Sequence, residues 1–233
     1  MTTVKTGLCG FTIGAAAYFE TFGVVEVQQT FYDPPPARTL ERWRLQAPPA
    51  FEFTMKVWQV ITHSSSSRTY RRMKSPVDLS EAGGFRVNDT VLRAWETTRA
   101  AARILRATAI LFQCPASFRP TDENIANMRE FFAAVERPKN MRFLWEPRGD
   151  WPDEIVRTLC RDLALVHAVD PFLRPSLTPE LTYWRLHGNG SHYASYTDDE
   201  LRQLREWISG KETYVMFNNI PRVGDAKRFL TPA

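Results

Sequence analysis

The sequence lacks the segments that would anchor a protein in a membrane or direct it out of the cell. None of its apolar runs approaches the roughly 20 residues that a helix needs to cross a bilayer. The start, Met1 to Lys5, has no apolar core of the kind that a signal peptide carries, and it leads straight into strand-like sequence. We therefore expect a cytoplasmic protein with no membrane partner.

Cysteine is scarce, and the common catalytic and nucleotide-binding signatures are missing. Cys9, Cys114 and Cys160 lie far apart and form no CxxC pair, which predicts reduced, buried thiols rather than disulfides or metal ligands. No GxGxxG or GxxxxGK[ST] follows a strand-like segment, which argues against the usual nucleotide-binding loops. No GxSxG elbow is present to support a nucleophilic serine.

The composition is that of one globular domain, which we expect to span residues 1–233. The chain is 43% hydrophobic and 24% charged, enough apolar sequence to bury a sizeable core. Its formal net charge of +4 permits an anionic partner but is too small to identify one.

Short apolar segments recur along the chain, and most are separated by segments with helical periodicity. Eight have the length and alternation of strands: 4–11, 24–31, 51–58, 109–115, 141–146, 164–170, 183–188 and 213–219. This order predicts an α/β protein, a TIM-like (β/α)8 barrel of mostly parallel strands, with an open doubly wound sheet as the alternative. The proline-rich link at 172–180 has no helical pattern, so we expect the barrel to be irregular. A long loop is expected at about 60–87.

Polar side chains gather at or near the C-terminal ends of these strands, the face on which α/β barrels build their sites. We therefore expect one site there, made of two groups of residues. The candidate catalytic residues are Glu146, His187, Glu26 and Asp170. The candidate ligand-binding residues are Thr30, Lys56, Gln113, Arg148, Arg185, Asn218 and Asn219.

The segment from Tyr183 to Gly188 illustrates the chemistry of this site. Strand alternation puts Arg185 and His187 on the same face, which suits a polar cavity better than a dry core. Arginine donates bidentately to phosphate or carboxylate, so a ring of mixed charge predicts an anionic or phosphorylated substrate. Glu146 or His187 could act as general acid or base. Arg185, one layer deeper, is expected to orient Glu146 or Asp170.

A divalent metal could bind at this mouth, but the sequence does not favour it. Suitable ligand types are present in His187, Glu146, Asp170 and Glu26. The four histidines, however, form no HxH or HExxH pair. His167 lies in the middle of a strand and is expected to be a hydrogen-bonded core residue, while His63 and His192 lie in loops and are expected to face solvent. The cofactor requirement and the oligomeric state stay open.

Five segments in a fixed order carry a family pattern. They are Val25 to Tyr32, Phe51 to Lys56, Glu146-Pro147-Arg148 with Trp151, Trp184 to Gly188, and Phe217-Asn218-Asn219 followed by Asp225-Ala226. Together they resemble the family catalogued as domain of unknown function seventy-two, also called YecE-like, over nearly the whole chain. The resemblance implies a TIM-like barrel but no settled activity.

The likeness of such proteins to sugar-phosphate isomerase and endonuclease IV barrels suggests phosphoester or nucleic-acid chemistry, by fold analogy. Endonuclease IV-like barrels need several metal-binding histidines, and this chain has too few at its strand ends to match them.

Two functions are open at this point. The first is an enzyme, a hydrolase or acid–base catalyst, that binds a phosphorylated or otherwise anionic substrate at the barrel mouth. The second is a non-catalytic barrel that binds an anionic ligand or single-stranded nucleic acid. In that case bases would stack on Tyr32, Trp58 and Trp151, and nearby basic residues such as Arg71 and Arg72 would follow the phosphates.

Overall fold

A computed structural model describes residues 3–231 of the chain. Eight parallel strands close into a barrel in which each strand pairs with its neighbours in sequence, and the last pairs with the first. The strands are β1 (Val4–Cys9), β2 (Val24–Val27), β3 (Glu52–Lys56), β4 (Ala109–Gln113), β5 (Arg142–Glu146), β6 (Leu165–Val169), β7 (Leu181–Leu186) and β8 (Glu212–Phe217). The predicted TIM-like fold is confirmed, and the open sheet is excluded.

The strands are connected by α-helices and by one long loop. The helices are α1 (Ala15–Thr21), α2 (Gln29–Tyr32), α3 (Ala37–Gln46), α4 (Asp89–Leu105), α5 (Asp122–Ala134), α6 (Asp153–Asp162), α7 (Asp198–Glu206) and α8 (Arg222–Leu230). Two of them lie between β2 and β3, and none connects β6 to β7, where the proline-rich link predicted an irregularity. No helix in residues 3–231 is long and apolar enough to cross a membrane.

Side-chain caps fix where several of these helices begin. Thr197 and Glu200 form a capping box at the start of α7, each side chain accepting a hydrogen bond from the other residue's backbone N–H. Asn88 caps α4 by accepting from the Val91 N–H, and Thr121 caps α5 in the same way. The polar residues between strands therefore set the helix starts that position the barrel wall.

The core has two layers, and strand alternation sorts residues between them. The outer layer, between strands and helices, includes Trp184 and Leu186 of β7. The inner layer fills the barrel and includes Tyr183 of the same strand, packed with Leu144 and Met216. This is the alternation expected for β7, and it leaves Arg185 pointing into the barrel above Tyr183.

The second strand is shorter than its sequence pattern predicted. Alternation suggested a strand over 24–31, but β2 ends at Val27 and the next residues form α2. The Thr30 hydroxyl donates to the carbonyl oxygens of Val27, at 3.1 Å, and Lys56, at 2.7 Å. Thr30 is therefore a buried residue of α2 and does not line the cavity at the barrel mouth, where we expected it from the sequence.

The long loop after β3 is folded over the C-terminal end of the barrel. It contains a 3-10 helix, Arg68–Arg72, and its Tyr70 hydroxyl donates to the His63 carbonyl oxygen at 2.6 Å. Gly83 adopts a φ of +86°, and a Cβ there would lie 2.4 Å from the His63 carbonyl. This close approach holds the beginning and end of the loop together and brings His63 towards the mouth.

At the opposite, N-terminal end of the barrel, side chains of both charges form a cluster of ion pairs and hydrogen bonds. Lys5 Nζ lies 2.5 Å from Glu52 Oε1 and 2.6 Å from Glu212 Oε1. Arg142 Nη2 lies 2.7 Å from the second Glu212 oxygen, and the Tyr214 hydroxyl donates to Glu52 at 2.8 Å. We call these five residues the N-terminal charge cluster.

Candidate active site at the barrel mouth

A cavity of about 940 Å³ opens at the C-terminal ends of the strands. Eight of the eleven predicted site residues line it: Lys56, Gln113, Glu146, Arg148, Asp170, Arg185, His187 and Asn218. They come from β3 to β8 or from the residues that directly follow these strands. Parallel strands deliver their ends to one face of the barrel, which is why residues far apart in sequence meet here.

Arg185 is the centre of the site and is almost completely buried. Its Nη2 lies 2.8 Å from Glu26 Oε1, and its Nη1 lies 2.6 Å from Glu146 Oε2. Glu26 also accepts hydrogen bonds from the Tyr183 hydroxyl, at 2.9 Å, and from the Gln28 amide. Arg185 thus joins two carboxylates, while its other expected partner, Asp170, contacts a different residue.

The two carboxylates held by Arg185 stay ionised. Burial raises the pKa of Glu26, but the Arg185 guanidinium outweighs it and holds that pKa below its ordinary value. Burial also raises the pKa of Glu146, yet Arg185 and then Arg148 reverse the effect and bring it to about 2. A carboxylate with so low a pKa is a poor proton carrier at neutral pH, so Glu146 is suited to hold cations in place.

His187 is held between an acid and a guanidinium. Its backbone N–H donates to Asp170 Oδ2 at 3.0 Å, and its Nδ1 lies 3.5 Å from the same oxygen. On the other side, its Nε2 lies 2.8 Å from Arg148 Nη2. Because a guanidinium can only donate, this network assigns the ring proton to Nδ1 and leaves Nε2 as the acceptor. Arg148 therefore sets the tautomer of His187, and Asp170 anchors its backbone and lies beside Nδ1.

The loop after His187 depends on a glycine. Gly188 adopts a φ of +93°, and a Cβ at this position would lie 2.1 Å from the Ser191 carbonyl oxygen. Its N–H donates to the Tyr196 hydroxyl at 2.7 Å. The chain can turn away from β7 this sharply only without a side chain, and the turn leaves His187 at the rim of the cavity.

Arg148 follows β5 and carries a partly exposed guanidinium. Its Nη2 lies 3.2 Å from Glu146 Oε1, in addition to its contact with His187. Within residues 3–231, the Nη1 and Nε groups of Arg148 donate to no other residue. These N–H groups are available to an anion in the cavity.

Lys56, the last residue of β3, differs from the other cations of the site. Its Nζ donates to Gln113 Oε1 at 2.9 Å and lies 3.7 Å from the centre of the Phe31 ring. No carboxylate in the described part of the chain forms an ion pair with it. Burial, reinforced by the charge of Arg185, lowers its pKa to about 7. The sequence predicted Lys56 at a strand end, and the structure puts it on the cavity wall. Its lack of an acidic partner within residues 3–231 could not be predicted from the sequence.

Three of the predicted site residues lie outside the cavity lining. Thr30 is bonded to backbone carbonyls, as described above. Glu26 is fully buried beneath Arg185. The Asn219 amide donates to the Ala194 carbonyl at 2.9 Å and to Asp225 Oδ2 at 2.6 Å, so it ties the loop after β7 to α8.

Two histidines test the sequence reasoning in different ways. His167 is buried and its Nδ1 accepts from the Leu177 N–H at 3.3 Å, as expected of a core histidine. The prediction that His63 faces solvent is wrong: it is 3% exposed, its Nδ1 lies 2.8 Å from the Thr62 hydroxyl, and burial lowers its pKa to about 3. It lines the cavity with Thr69, also from the long loop. The length of that loop was the only sequence signal for them.

The aromatic residues predicted to stack on bases are mostly inaccessible. Trp58 and Trp151 are buried, and the Trp151 indole N–H donates to the Phe118 carbonyl at 2.8 Å. Tyr32 does line the cavity, but the Arg72 guanidinium lies 3.9 Å from the centre of its ring.

In residues 3–231, no group of three or more His, Cys, Asp or Glu side chains is arranged to hold a metal ion. The donors at the mouth that could bind one are instead held by arginine, as Glu26 and Glu146 are.

The fold and the site together define the class: a parallel (β/α)8 barrel with a charged cavity at its C-terminal mouth. A family model described as a protein of unknown function, DUF72, matches residues 15–230. The chain belongs to this family. No curated protein matches its sequence.

Solved structures agree with this assignment. A DUF72 family protein of Enterococcus faecalis matches with a TM-score of 0.74 and 20% identity, over 99% of this chain and 96% of that one. A second family member, from Thermotoga maritima, matches with a TM-score of 0.71 and 19% identity, over 98% of each chain. Endonuclease IV from Thermus thermophilus is a more distant neighbour, with a TM-score of 0.55 and 10% identity over 98% of this chain and 100% of that one.

Proposed function

We propose that the barrel mouth binds a small phosphorylated or otherwise anionic substrate and that His187 transfers a proton during its conversion. The observation that carries this proposal is the contact between His187 Nε2 and Arg148 Nη2, at 2.8 Å, on the wall of the 940 Å³ cavity. A proton acceptor and an anion-binding group thus lie side by side in a space of ligand size, since ligand pockets measure roughly 300–1,000 Å³.

Each group has a distinct task in this proposal. The free N–H groups of Arg148 bind the anion. An anion that draws the guanidinium towards itself frees His187 Nε2 to take a proton from the substrate, and the Asp170 carboxylate, 3.5 Å from Nδ1, favours the positive charge that the ring then gains. Glu146, permanently charged, keeps Arg148 and Arg185 in position. Phosphoester chemistry on a related scaffold, as in endonuclease IV, is compatible with this function by fold analogy.

Single-stranded nucleic acid is a weaker candidate ligand. Stacking needs accessible aromatic faces, and of the three residues predicted for it Trp58 and Trp151 are buried, while Tyr32 has one face covered by Arg72. A small anion uses the same cations without that surface.

Binding and turnover should respond differently to two substitutions. We expect Arg148→Met to weaken the binding of inorganic phosphate at least about tenfold, measured by titration calorimetry, because it removes a charged donor. His187→Asn should keep most of this binding and abolish turnover of whichever ester is active in a panel of sugar phosphates and aryl phosphates.

The matched control is Arg38→Met, which changes an exposed arginine on α3 that does not line the cavity. It should change neither quantity. Equal phosphate affinity in the wild-type protein and Arg148→Met would contradict the proposal. Binding without any turnover would leave the barrel as an anion-binding protein.

A further inference from the structure

We propose that Lys56 attacks a carbonyl group of the anionic substrate with its neutral amine and forms a protonated imine in the cavity. This inference rests on the proposed function, because it assigns a substrate class to the same cavity: aldehydes and ketones that also carry a phosphate or carboxylate. From the sequence, Lys56 was predicted only to bind the anion through its positive charge.

The position of Lys56 favours a nucleophile over a structural cation. A buried lysine normally pairs with a carboxylate, because an isolated charge is costly to bury. Here the two nearest candidates, Glu26 and Glu146, already bind Arg185 at 2.8 Å and 2.6 Å. Within residues 3–231, the Lys56 amine has one hydrogen bond, to the Gln113 amide oxygen, and one cation–π contact, with the Phe31 ring, and its side chain lines the open cavity.

The charges around Lys56 do not restore the protonated form. The titratable or charged groups that act on it come from β2, β5, β7, the residues after β5 and the loop after β3: Glu26, Glu146, Arg185, Arg148 and His63. Burial dominates, Arg185 adds to it, and the two carboxylates compensate only in part, so the pKa falls to about 7. Desolvation and a neighbouring cation are known to activate lysine as a nucleophile, because both favour its neutral amine.

The chemical step needs no other reagent. The amine lone pair forms a bond to the carbonyl carbon as the C=O π bond breaks, and one proton passes from nitrogen to oxygen to give a neutral carbinolamine. One added proton then lets the C–O bond break with loss of water, while the nitrogen lone pair forms the C=N bond of the iminium ion. The sum is amine, carbonyl and one proton giving iminium and one water, with no oxidation or reduction. His187, on the same cavity wall, can carry the protons in both directions.

The contacts of Lys56 suit the product as well as the free amine. The iminium keeps its positive charge on the same nitrogen, which the face of Phe31, 3.7 Å away, stabilises. Gln113 Oε1, 2.9 Å away, can accept the remaining N–H.

Reductive trapping tests the proposal directly. The protein is incubated with dihydroxyacetone phosphate and sodium cyanoborohydride, and the adducts are located by peptide mass spectrometry among the six lysines of the chain. We expect the Lys56 yield to exceed that of exposed Lys74 at least about tenfold, since burial beside Arg185 keeps a large part of the Lys56 amine neutral at pH 7. Lys56→Arg should abolish the selective adduct, and the matched control Lys74→Arg should keep it. Equal yields on all lysines would overturn the proposal.

A second measurement uses the unmodified protein and so does not depend on how a variant folds. Trace acetic anhydride labels each lysine in proportion to its neutral fraction. Labelling of Lys56 should reach half its maximum near pH 7, whereas a lysine in a model peptide labelled in parallel should do so near its reference pKa of about 10.4. A Lys56 profile that coincides with that of the peptide would overturn the proposal.

Inorganic phosphate separates this inference from the proposed function. Phosphate binding without a Lys56 adduct overturns the imine and leaves the anion site. Absence of both overturns both. A Lys56 adduct that forms equally well with dihydroxyacetone, and that phosphate does not suppress, supports the imine and overturns the anion site.

Discussion

Two lysines point into the same barrel from opposite ends, and their surroundings are opposite as well. Lys5, in the N-terminal charge cluster, lies within 2.6 Å of two carboxylates, those of Glu52 and Glu212. Lys56, at the mouth, has no ion-pair partner in the described part of the chain. The lysine at the N-terminal end of the barrel is therefore neutralised by two carboxylates, while the lysine at the mouth forms no ion pair within residues 3–231.

The two pKa values express the same difference. Partial burial lowers the pKa of Lys5, but hydrogen bonds to Glu212 and Glu52 outweigh it and raise that pKa above its ordinary value. For Lys56, burial prevails and the pKa falls to about 7. The ion pairs of Lys5 serve stability, whereas the lack of an ion pair at Lys56 within residues 3–231 fits the nucleophilic role that we propose for it.

The largest expected effect concerns the arginines at the two ends. Arg185→Met should lower the free energy of unfolding by about 3–5 kcal/mol, because it leaves Glu26 and Glu146 buried without their cation. Arg142→Met, at the N-terminal end, should cost less than about 1 kcal/mol, because that side chain is partly exposed and Glu212 keeps Lys5. Urea unfolding of both variants measures the difference. Equal losses would remove the distinction between the two ends.

The lysines themselves should give changes of opposite sign at pH 7. Lys5→Met should lower the free energy of unfolding by about 1–2 kcal/mol, since two carboxylates lose a charged donor. Lys56→Met should raise it, by about 1–4 kcal/mol, because an apolar side chain replaces a buried amine that has no acidic partner. The same urea titrations decide. A loss of stability in Lys56→Met would show that its amine is well paired after all.

The smallest expected effect, taken per pH unit, is the dependence of stability on pH. The folded-state pKa of Lys56, about 7, lies below the ordinary 10.5, so between these values the unfolded chain binds more protons. The stability of the wild-type protein relative to Lys56→Met should therefore rise with pH across that window, by at most about 1.4 kcal/mol per pH unit.

For Lys5, whose pKa is raised, the contribution to stability is fully present below 10.5 and is lost only at higher pH. Stability relative to Lys5→Met should hence stay level from pH 7 to 10. The free energy of unfolding of the wild-type protein and of both variants is measured at pH 7, 8 and 9. If the two differences from wild type change with pH in the same way, the contrast between Lys5 and Lys56 is wrong.

Much of the barrel could be predicted from sequence because periodicity reflects burial. Alternation correctly put Arg185 inside and Trp184 outside, and the proline-rich link correctly suggested a missing helix after β6. The error at β2 has a physical cause. Gln29 and Thr30 continue the alternating pattern, but the Thr30 hydroxyl bonds to backbone carbonyls and the chain turns into α2.

The ion-pair and hydrogen-bond partners of each charged residue could not be predicted from the sequence. Residue types predicted a mixed ring but not that Arg185 would bind Glu26 and Glu146 together, nor that Asp170 would anchor the backbone of His187. Such choices depend on angstrom-scale distances between strands that are remote in the chain. For the same reason the burial of His63 by the long loop had no local signature.

The glycine after His187 also constrains how this mouth can evolve. A Cβ at position 188 would lie 2.1 Å from the Ser191 carbonyl oxygen, too close for the 188–192 turn to keep its conformation. Because the same turn leaves His187 at the rim of the cavity, a substitution at position 188 would disturb the site even though glycine has no side chain to contact a ligand.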